Sequence, residues 1–278
     1  MKIVRVRTGV GESRFGILHD CEQVVFLFPE GLTLETAIGF AKTGKQFEDQ
    51  TQLSEVELLA PVANPQKIIC VGKNYAAHAR EMGGDPPELP VIFSKFSSAL
   101  NHPNGTIELP EISDSVDFEA EMVVVIGTGG KYIKREDAIS HVAGFCCGND
   151  ISARDWQKGK PGNQRLLGKT FDGFAPIGPW LVTPDEVDYE NLDIALRLNG
   201  KVMQQSNTSD LIFPVDYLIS HVSRFFELNA GDLLFTGTPA GVGAGRTPPV
   251  FLKPGDELEV EISGLGVLEN STVSLTRA

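Results

Sequence analysis

The sequence predicts a strand-rich protein of mixed α and β structure, and three observations predict it. Short apolar runs, alternating or continuous, recur at 3–7, 15–18, 24–28, 67–72, 91–96, 142–150, 192–198 and 257–262, the pattern of strands. Helical periodicity is confined to a few stretches, 33–41, 73–82, 135–141 and 213–228. The third observation is an acidic strand, 116–127, around which the rest is organised. Alternation puts Asp117, Glu119 and Glu121 on one face and continues that face into Val123 and Val125. Such a face runs from a polar pocket into a core. Like charges buried together and unpaired are costly, and a bound cation removes the conflict.

Composition narrows the function classes. The chain has 278 residues, 41% hydrophobic and 22% charged, with a net charge of −13, enough for an ample core in one large domain or in a large and a small one. A broad nucleic-acid surface needs clustered Lys and Arg, and this balance argues against one. No apolar stretch is long enough to span a bilayer. Residues 1–7 alternate charged and apolar side chains, the pattern of a strand and not of a signal peptide. Cys21, Cys70, Cys146 and Cys147 lack zinc spacing and read as free thiols, so a reducing, cytoplasmic compartment is expected. The glycosylation patterns at Asn207 and Asn270 are then coincidental.

Taken in order, residues 1–62 form a small N-terminal α/β domain: strands at 3–7, 15–18 and 24–28, then a helix at 33–41 with Gly44 as its C-cap. The loop at 60–65 holds Pro61 and Pro65 and marks the boundary with a second domain, 63–278. A buried strand, 67–72, leads into a short helix, 73–82, stopped by Gly83-Gly84-Asp85-Pro86-Pro87. His78 and Glu81 are i and i+3 on that helix. They form either a solvated contact or a dyad in which the carboxylate orients the imidazole, and the flanking Gly and Pro suit a lid. His102 reads as a turn residue.

Residues 257–262 also alternate carboxylates, but their acidic face ends in Ser263; this is expected to be a half-exposed edge strand. Asp150 ends the strand at 142–150, either as the cap of a helix at 151–157 or as a third oxygen ligand. The stretch 158–169 is a basic loop in an acidic protein, suited to an anionic ligand if it is not merely solvated. Asn199-Gly200 signals a hairpin, and His221 is a packed or surface residue of the helix at 213–228. Gly127-Thr128-Gly129-Gly130-Lys131 lacks the Ser or Thr of a phosphate loop. The glycines from 237 to 245 lead into Pro248-Pro249 and not into a helix, so neither run marks a nucleotide site.

Several of these pieces together resemble the fumarylacetoacetate hydrolase family. They are Gly72-Lys73-Asn74-Tyr75 with His78; Phe93-Ser94-Lys95; Asp117-Phe118-Glu119-Ala120-Glu121; Asn149-Asp150 through Trp156-Gln157; Gly168-Lys169-Thr170-Phe171-Asp172; and Thr236-Gly237-Thr238-Pro239-Ala240-Gly241. The likeness is to the branch of acylpyruvases and 2-hydroxyhepta-2,4-diene-1,7-dioate isomerases. It implies an α+β fold, a mixed β-roll with flanking helices and a small N-terminal domain, and a homodimer. It implies Mg²⁺ or Mn²⁺ held by Glu119, Glu121 and Asp150, with Asp117 beside them. His78 and Glu81 are then a water-activating dyad, Lys169 a catalytic cation, and Asn74, Tyr75, Arg154, Gln157 and Thr238 substrate contacts.

The expected reaction is hydrolysis of a carbon–carbon bond in a 2,4-dioxo acid of the acylpyruvate or diketo-deoxy sugar acid type, releasing pyruvate. Oxaloacetate decarboxylation and hydroxymuconate-type isomerisation are the alternatives on the same metal-enolate platform. A non-catalytic, metal-stabilised protein is the alternative of another class. The partner in the enzymatic readings is a small 2-oxo or 2,4-dioxo acid.

Overall fold

A computed structural model describes residues 1–9, 11, 13–19, 23–42, 47 and 49–274; the expected Gly44 cap and Cys21 lie outside them. The chain begins as an antiparallel meander, β1 (Lys2–Arg7), β2 (Ser13–His19) and β3 (Val24–Leu27). Helix α1 (Leu34–Lys42) follows, with Thr33 and Thr36 capping each other's backbone N–H. Then come β4 (Asp49–Gln52) and β5 (Glu57–Leu59). β1 also pairs with β14 (Ala175–Val182), Lys2 opposite Val182. One sheet therefore runs across the expected boundary at 62/63.

The strands β6 (Ile68–Gly72), β7 (Val91–Lys95), β8 (Leu100–Asn101), β9 (Thr106–Leu109), β10 (Val116–Asp117), β11 (Ala120–Ile126), β12 (Val142–Asn149) and β13 (Ser152–Ala153) precede β14. Helix α2 (Ala76–Glu81) lies between β6 and β7, and α3 (Arg165–Lys169) between β13 and β14. After β14 come β15 (Asp193–Leu198), β16 (Lys201–Asn207), α4 (Val215–Val222), β17 (Leu233–Phe235), β18 (Glu257–Ile262) and β19 (Gly266–Ser274). The main sheet has twelve strands, ordered β4-β3-β2-β1-β14-β12-β11-β17-β6-β7, with β5 on β1 and β8 on β14. A second sheet is ordered β16-β15-β18-β19-β9. Parallel pairs (β17 with β6, β19 with β9) mix with antiparallel ones, giving the sheet-dominated α+β architecture.

β11 explains where the core lies. Met122, Val124 and Ile126 pack into one cluster and Val123 and Val125 into another on the opposite face. A strand covered on both sides reads as a continuous apolar run. The expected unbroken strand at 116–127 is corrected, because pairing stops at Phe118-Glu119. Side chains replace the ladder there: the Glu119 N–H donates to Asn149 Oδ1 (2.9 Å) and the Ala120 N–H to Gln204 Oε1 (2.9 Å).

Three other expectations change. β18 is no edge strand, since it lies between β15 and β19; only its Glu259 and Glu261 face is open, and both reach Arg197. The helix expected at 151–157 gives way to β13 paired with β10, then a π-turn at Asp155–Gly159. The helix at 213–228 ends at Val222, because the Tyr132 N–H takes the Ser223 carbonyl and the Ile133 N–H its Oγ. The Asn199-Gly200 hairpin forms as expected, both residues at positive φ (51° and 74°). Cys70, Cys146 and Cys147 are buried free thiols. No helix among the described residues is long and apolar enough to cross a membrane.

Candidate active site

The register Ala120↔Asn149 and Glu121↔Gly148 sets the start of β11 beside the end of β12. That pairing converges Glu119, Glu121 and Asp150: one oxygen from each lies within 4.8 Å of the others, and all three residues are buried. Cations surround them. Lys169 Nζ donates to Glu119 Oε2 (2.5 Å) and Asp150 Oδ2 (2.7 Å). Arg154 donates from Nη2 to Glu119 Oε1 (2.7 Å), from Nε to Asp117 Oδ2 (2.8 Å) and from Nη1 to Gln157 Oε1 (3.1 Å). Lys95, to which the sequence reading gave no role, lies wholly buried. It donates to Asp150 Oδ1 and to the carbonyls of Ile151 (2.9 Å) and Phe174 (2.7 Å). The available signal was a lysine closing an otherwise apolar strand.

Glu121 differs from its neighbours. Among the described residues it makes no ion pair, and the Gly237 N–H donates to its Oε2 (2.7 Å). Burial, then Asp150 and Glu119, push its carboxyl well above the usual range. Glu119 goes the other way: burial opposes ionisation, but Arg154, Lys169 and His78 hold it well below. Burial lowers the proton affinity of Lys169, yet Asp150 and Glu119 outweigh it and keep the ammonium charged.

This donor set fits a hard divalent cation. It is all oxygen, convergent and buried, and its one carboxyl without a cation is unfavourable to ionise alone. Asp117 stands beside the set and not in it, accepting the N–H groups of Phe118 (2.9 Å), Gly243 (2.7 Å) and Ala244 (3.0 Å) besides Arg154.

The His78–Glu81 pair is present on α2, Nδ1 to Oε2 at 3.2 Å. The Gly241 N–H donates to Glu81 Oε1 (2.9 Å), anchoring the carboxylate from a distant loop. Burial raises the Glu81 carboxyl, but the bonds from His78 and Gly241 and the Arg246 charge leave it below its ordinary value. An ionised Glu81 only accepts, so Nδ1 carries a proton, and in the neutral imidazole the lone pair is then on Nε2. His78 and Glu121 line the same cavity, about 220 Å³, with Glu119, Arg154, Gln157, Lys169 and Thr238. It is smaller than the roughly 300–1,000 Å³ of drug-sized sites. Thr238 Oγ1 accepts from Gln204 Nε2 (2.8 Å), a partner the sequence did not suggest.

Two expected substrate contacts do not line this cavity. Asn74 is fully buried and its amide is committed: Nδ2 donates to the carbonyls of Phe213 (3.0 Å) and Thr236 (2.7 Å), and Oδ1 accepts from the Phe213 N–H (2.8 Å). Tyr75 is buried with its hydroxyl unpartnered, and burial followed by Glu121 raises its proton affinity. Lys169, expected in a loop, ends α3 and is buried.

A histidine–glutamate dyad and a buried acidic cluster that meet at one small cavity, lined by His78, Glu119 and Glu121, define an enzyme that handles a small acid. The family model for the fumarylacetoacetate (FAA) hydrolase C-terminal domain matches residues 67–273. The chain belongs to the fumarylacetoacetate hydrolase family, whose enzymes generally depend on a divalent metal. It is 56% identical over 221 residues to the oxaloacetate tautomerase FAHD2A, mitochondrial, of Bos taurus, covering 79% of this chain and 70% of that protein. The oxaloacetate tautomerase fahd2, mitochondrial, of Xenopus laevis is 49% identical over 245 residues, covering 86% and 77%. Among solved structures, a fumarylacetoacetate hydrolase from Exiguobacterium antarcticum superposes with a TM-score of 0.85 at 35% identity, covering 99% of each chain. A 2-hydroxyhepta-2,4-diene-1,7-dioate isomerase from Mycobacterium marinum gives 0.83 at 34%, covering both chains fully. These relatives favour the decarboxylase and isomerase alternatives over acylpyruvate hydrolysis.

Proposed function

We propose that this enzyme interconverts the keto and enol forms of oxaloacetate or a closely similar 2-oxo acid. The observation that carries the reading is 56% identity to a protein named for that activity. The geometry supports it, because the reaction needs one base, one site for oxygen charge and no activated water.

Glu119, Glu121 and Asp150 would hold the divalent ion. When bound there, it supplies electrophilic polarisation of the 2-oxo group and a seat for the adjacent carboxylate. His78 Nε2, oriented by the Glu81 bond at Nδ1 (3.2 Å), removes a proton from C3. The C3–H electron pair becomes the C2=C3 bond and the C2 oxygen gains the negative charge. Lys169 and Arg154, both lining the cavity, would lend positive charge to that oxygen while keeping their carboxylate partners. A proton delivered to the C2 oxygen completes the enol.

Decarboxylation would pass through a similar enolate, and hydrolysis would use the same dyad on water, so product analysis separates the three. Freshly dissolved enol-oxaloacetate is followed by its ultraviolet absorbance with Mg²⁺ or Mn²⁺, alongside a pyruvate assay. The expected result is accelerated loss of the enol without matching pyruvate, reduced at least about 100-fold in a His78→Gln variant. Pyruvate at the rate of enol loss would move the enzyme to decarboxylation, and pyruvate from acetylpyruvate to hydrolysis.

A further inference from the structure

The cavity's cations fall into two groups. Arg154 and Lys169 are spent on buried carboxylates. Lys73, Lys158 and Arg165 line the same cavity, and none of the three has an ion pair among the described residues. Three unpaired cations in a protein of net charge −13 are not a consequence of composition. They also crowd one another. Burial, then Arg154 and Lys73, lower the proton affinity of Lys158; Glu119 opposes them and Arg165 adds a smaller push in the lowering sense. Asp85 lines the cavity too but bridges to none of them.

Lys73 carries a second signal. It follows the last residue of β6 at φ 58°, in the left-handed region that strains a non-glycine residue. Glycine or asparagine would be the unstrained choice, so the strain attends a side chain needed at that spot. Its placement is constrained as well: a Cβ built on Gly84 would meet Lys73 Nζ at 2.8 Å. The ammonium thus lies against the bare backbone of the loop that follows α2. The end of β6 brings one of these cations to the cavity and the 158–165 segment brings the other two.

Resting on the tautomerase reading, we propose that Lys73, Lys158 and Arg165 form the subsite for the second carboxylate of the substrate, so that the enzyme selects 2-oxo diacids over 2-oxo monoacids. With its divalent ion bound, the acidic cluster would take the 2-oxo carboxylate end, and the unpaired cations receive the far end, where a neutral tail would leave their repulsion unrelieved.

The test uses binding, so that it does not depend on turnover. Calorimetric titrations with Mg²⁺ compare 3,3-difluorooxaloacetate with trifluoropyruvate, neither of which can enolise. Wild type is expected to prefer the diacid at least about tenfold, the scale of one good charged contact. The K73N/K158M double variant is expected to lose that preference to within about twofold, and K73R to keep it. Asparagine tolerates the left-handed backbone, so the fold is not at stake. No preference in wild type, or one that survives in the double variant, overturns the subsite. Deuterium exchange at C3 of oxaloacetate by wild type is read in parallel. If exchange is absent while the binding preference behaves as expected, the tautomerase reading fails and the diacid subsite stands.

Discussion

Asn74→Ala separates two roles that the sequence cannot distinguish. Its carboxamide bonds three buried backbone groups: the carbonyls of Phe213 (3.0 Å) and Thr236 (2.7 Å) and the N–H of Phe213 (2.8 Å). Alanine leaves all three without their partner. A buried polar group left unsatisfied costs about 1–3 kcal/mol, and water entering the space would offset part of that, so about 3–6 kcal/mol is expected. Against a total of roughly 5–15 kcal/mol for a domain, this is a severe loss. The consequence extends to the site: Asn74 ties the approach to α4 to the loop after β17, where the Gly237 N–H donates to Glu121. Urea unfolding of wild type, Asn74→Ala and Asn74→Asp measures the loss, and Michaelis kinetics on the folded fraction measure substrate affinity. The expectation is a large fall in stability with KM changed less than about twofold. Full stability with a raised KM would refute the structural role and restore Asn74 as a substrate contact.

Two more outcomes follow from the same geometry. His102 Nδ1 accepts the Ala60 N–H (3.2 Å), and burial, then Arg5, with Glu57 opposing and Arg7 adding, lower its pKa below the ordinary 6.5. The unfolded chain then takes up the proton first, so this residue's stabilisation is complete above about pH 6.5 and is lost as the pH falls below it; thermal unfolding between pH 7.5 and 5.5 should be less pH-dependent in His102→Gln. Mg²⁺ at about 100 times its Kd should stabilise the wild type by about 2.7 kcal/mol, and Glu121→Gln should remove most of that gain; an equal gain in both proteins would exclude Glu121 as a ligand.

The parts of the site that were legible in the sequence are those set by local periodicity. His78 and Glu81 are three residues apart on a helix, and the carboxylates 119 and 121 are two apart across the start of β11, so short-range geometry pairs them. What stayed illegible depends on groups far apart in the chain. The break in the acidic strand is made by Asn149 and Gln204, and Glu81 is anchored by Gly241. Asn74 and Tyr75 stand beside His78 in sequence, yet both turn into the interior. Periodicity also overextended α4: Phe225, Phe226 and Leu228 continue its apolar pattern, but Ser223 is claimed by residues 132 and 133. The lead strands looked separable because no local signal reports that β1 pairs with β14, some 180 residues later.

The charges of the buried centre explain why an ion and an acid belong together there. Asp117, Glu119, Glu121 and Asp150 face Lys95, Arg154 and Lys169, one negative charge too many. Each carboxylate but one has a cationic partner: Asp117 has Arg154, Glu119 has Arg154 and Lys169, and Asp150 has Lys95 and Lys169. The excess therefore falls on Glu121, whose carboxyl burial and two carboxylate neighbours push up. Protonating Glu121 neutralises the set and lets the chain fold around it. With a dication held by Glu119, Glu121 and Asp150 and Glu121 ionised, the same buried residues carry one positive charge in excess. A carboxylate restores the balance, which a neutral ligand would not. On the proposed function, Glu121 is thus the residue through which the proton, the ion and the substrate acid would be coupled.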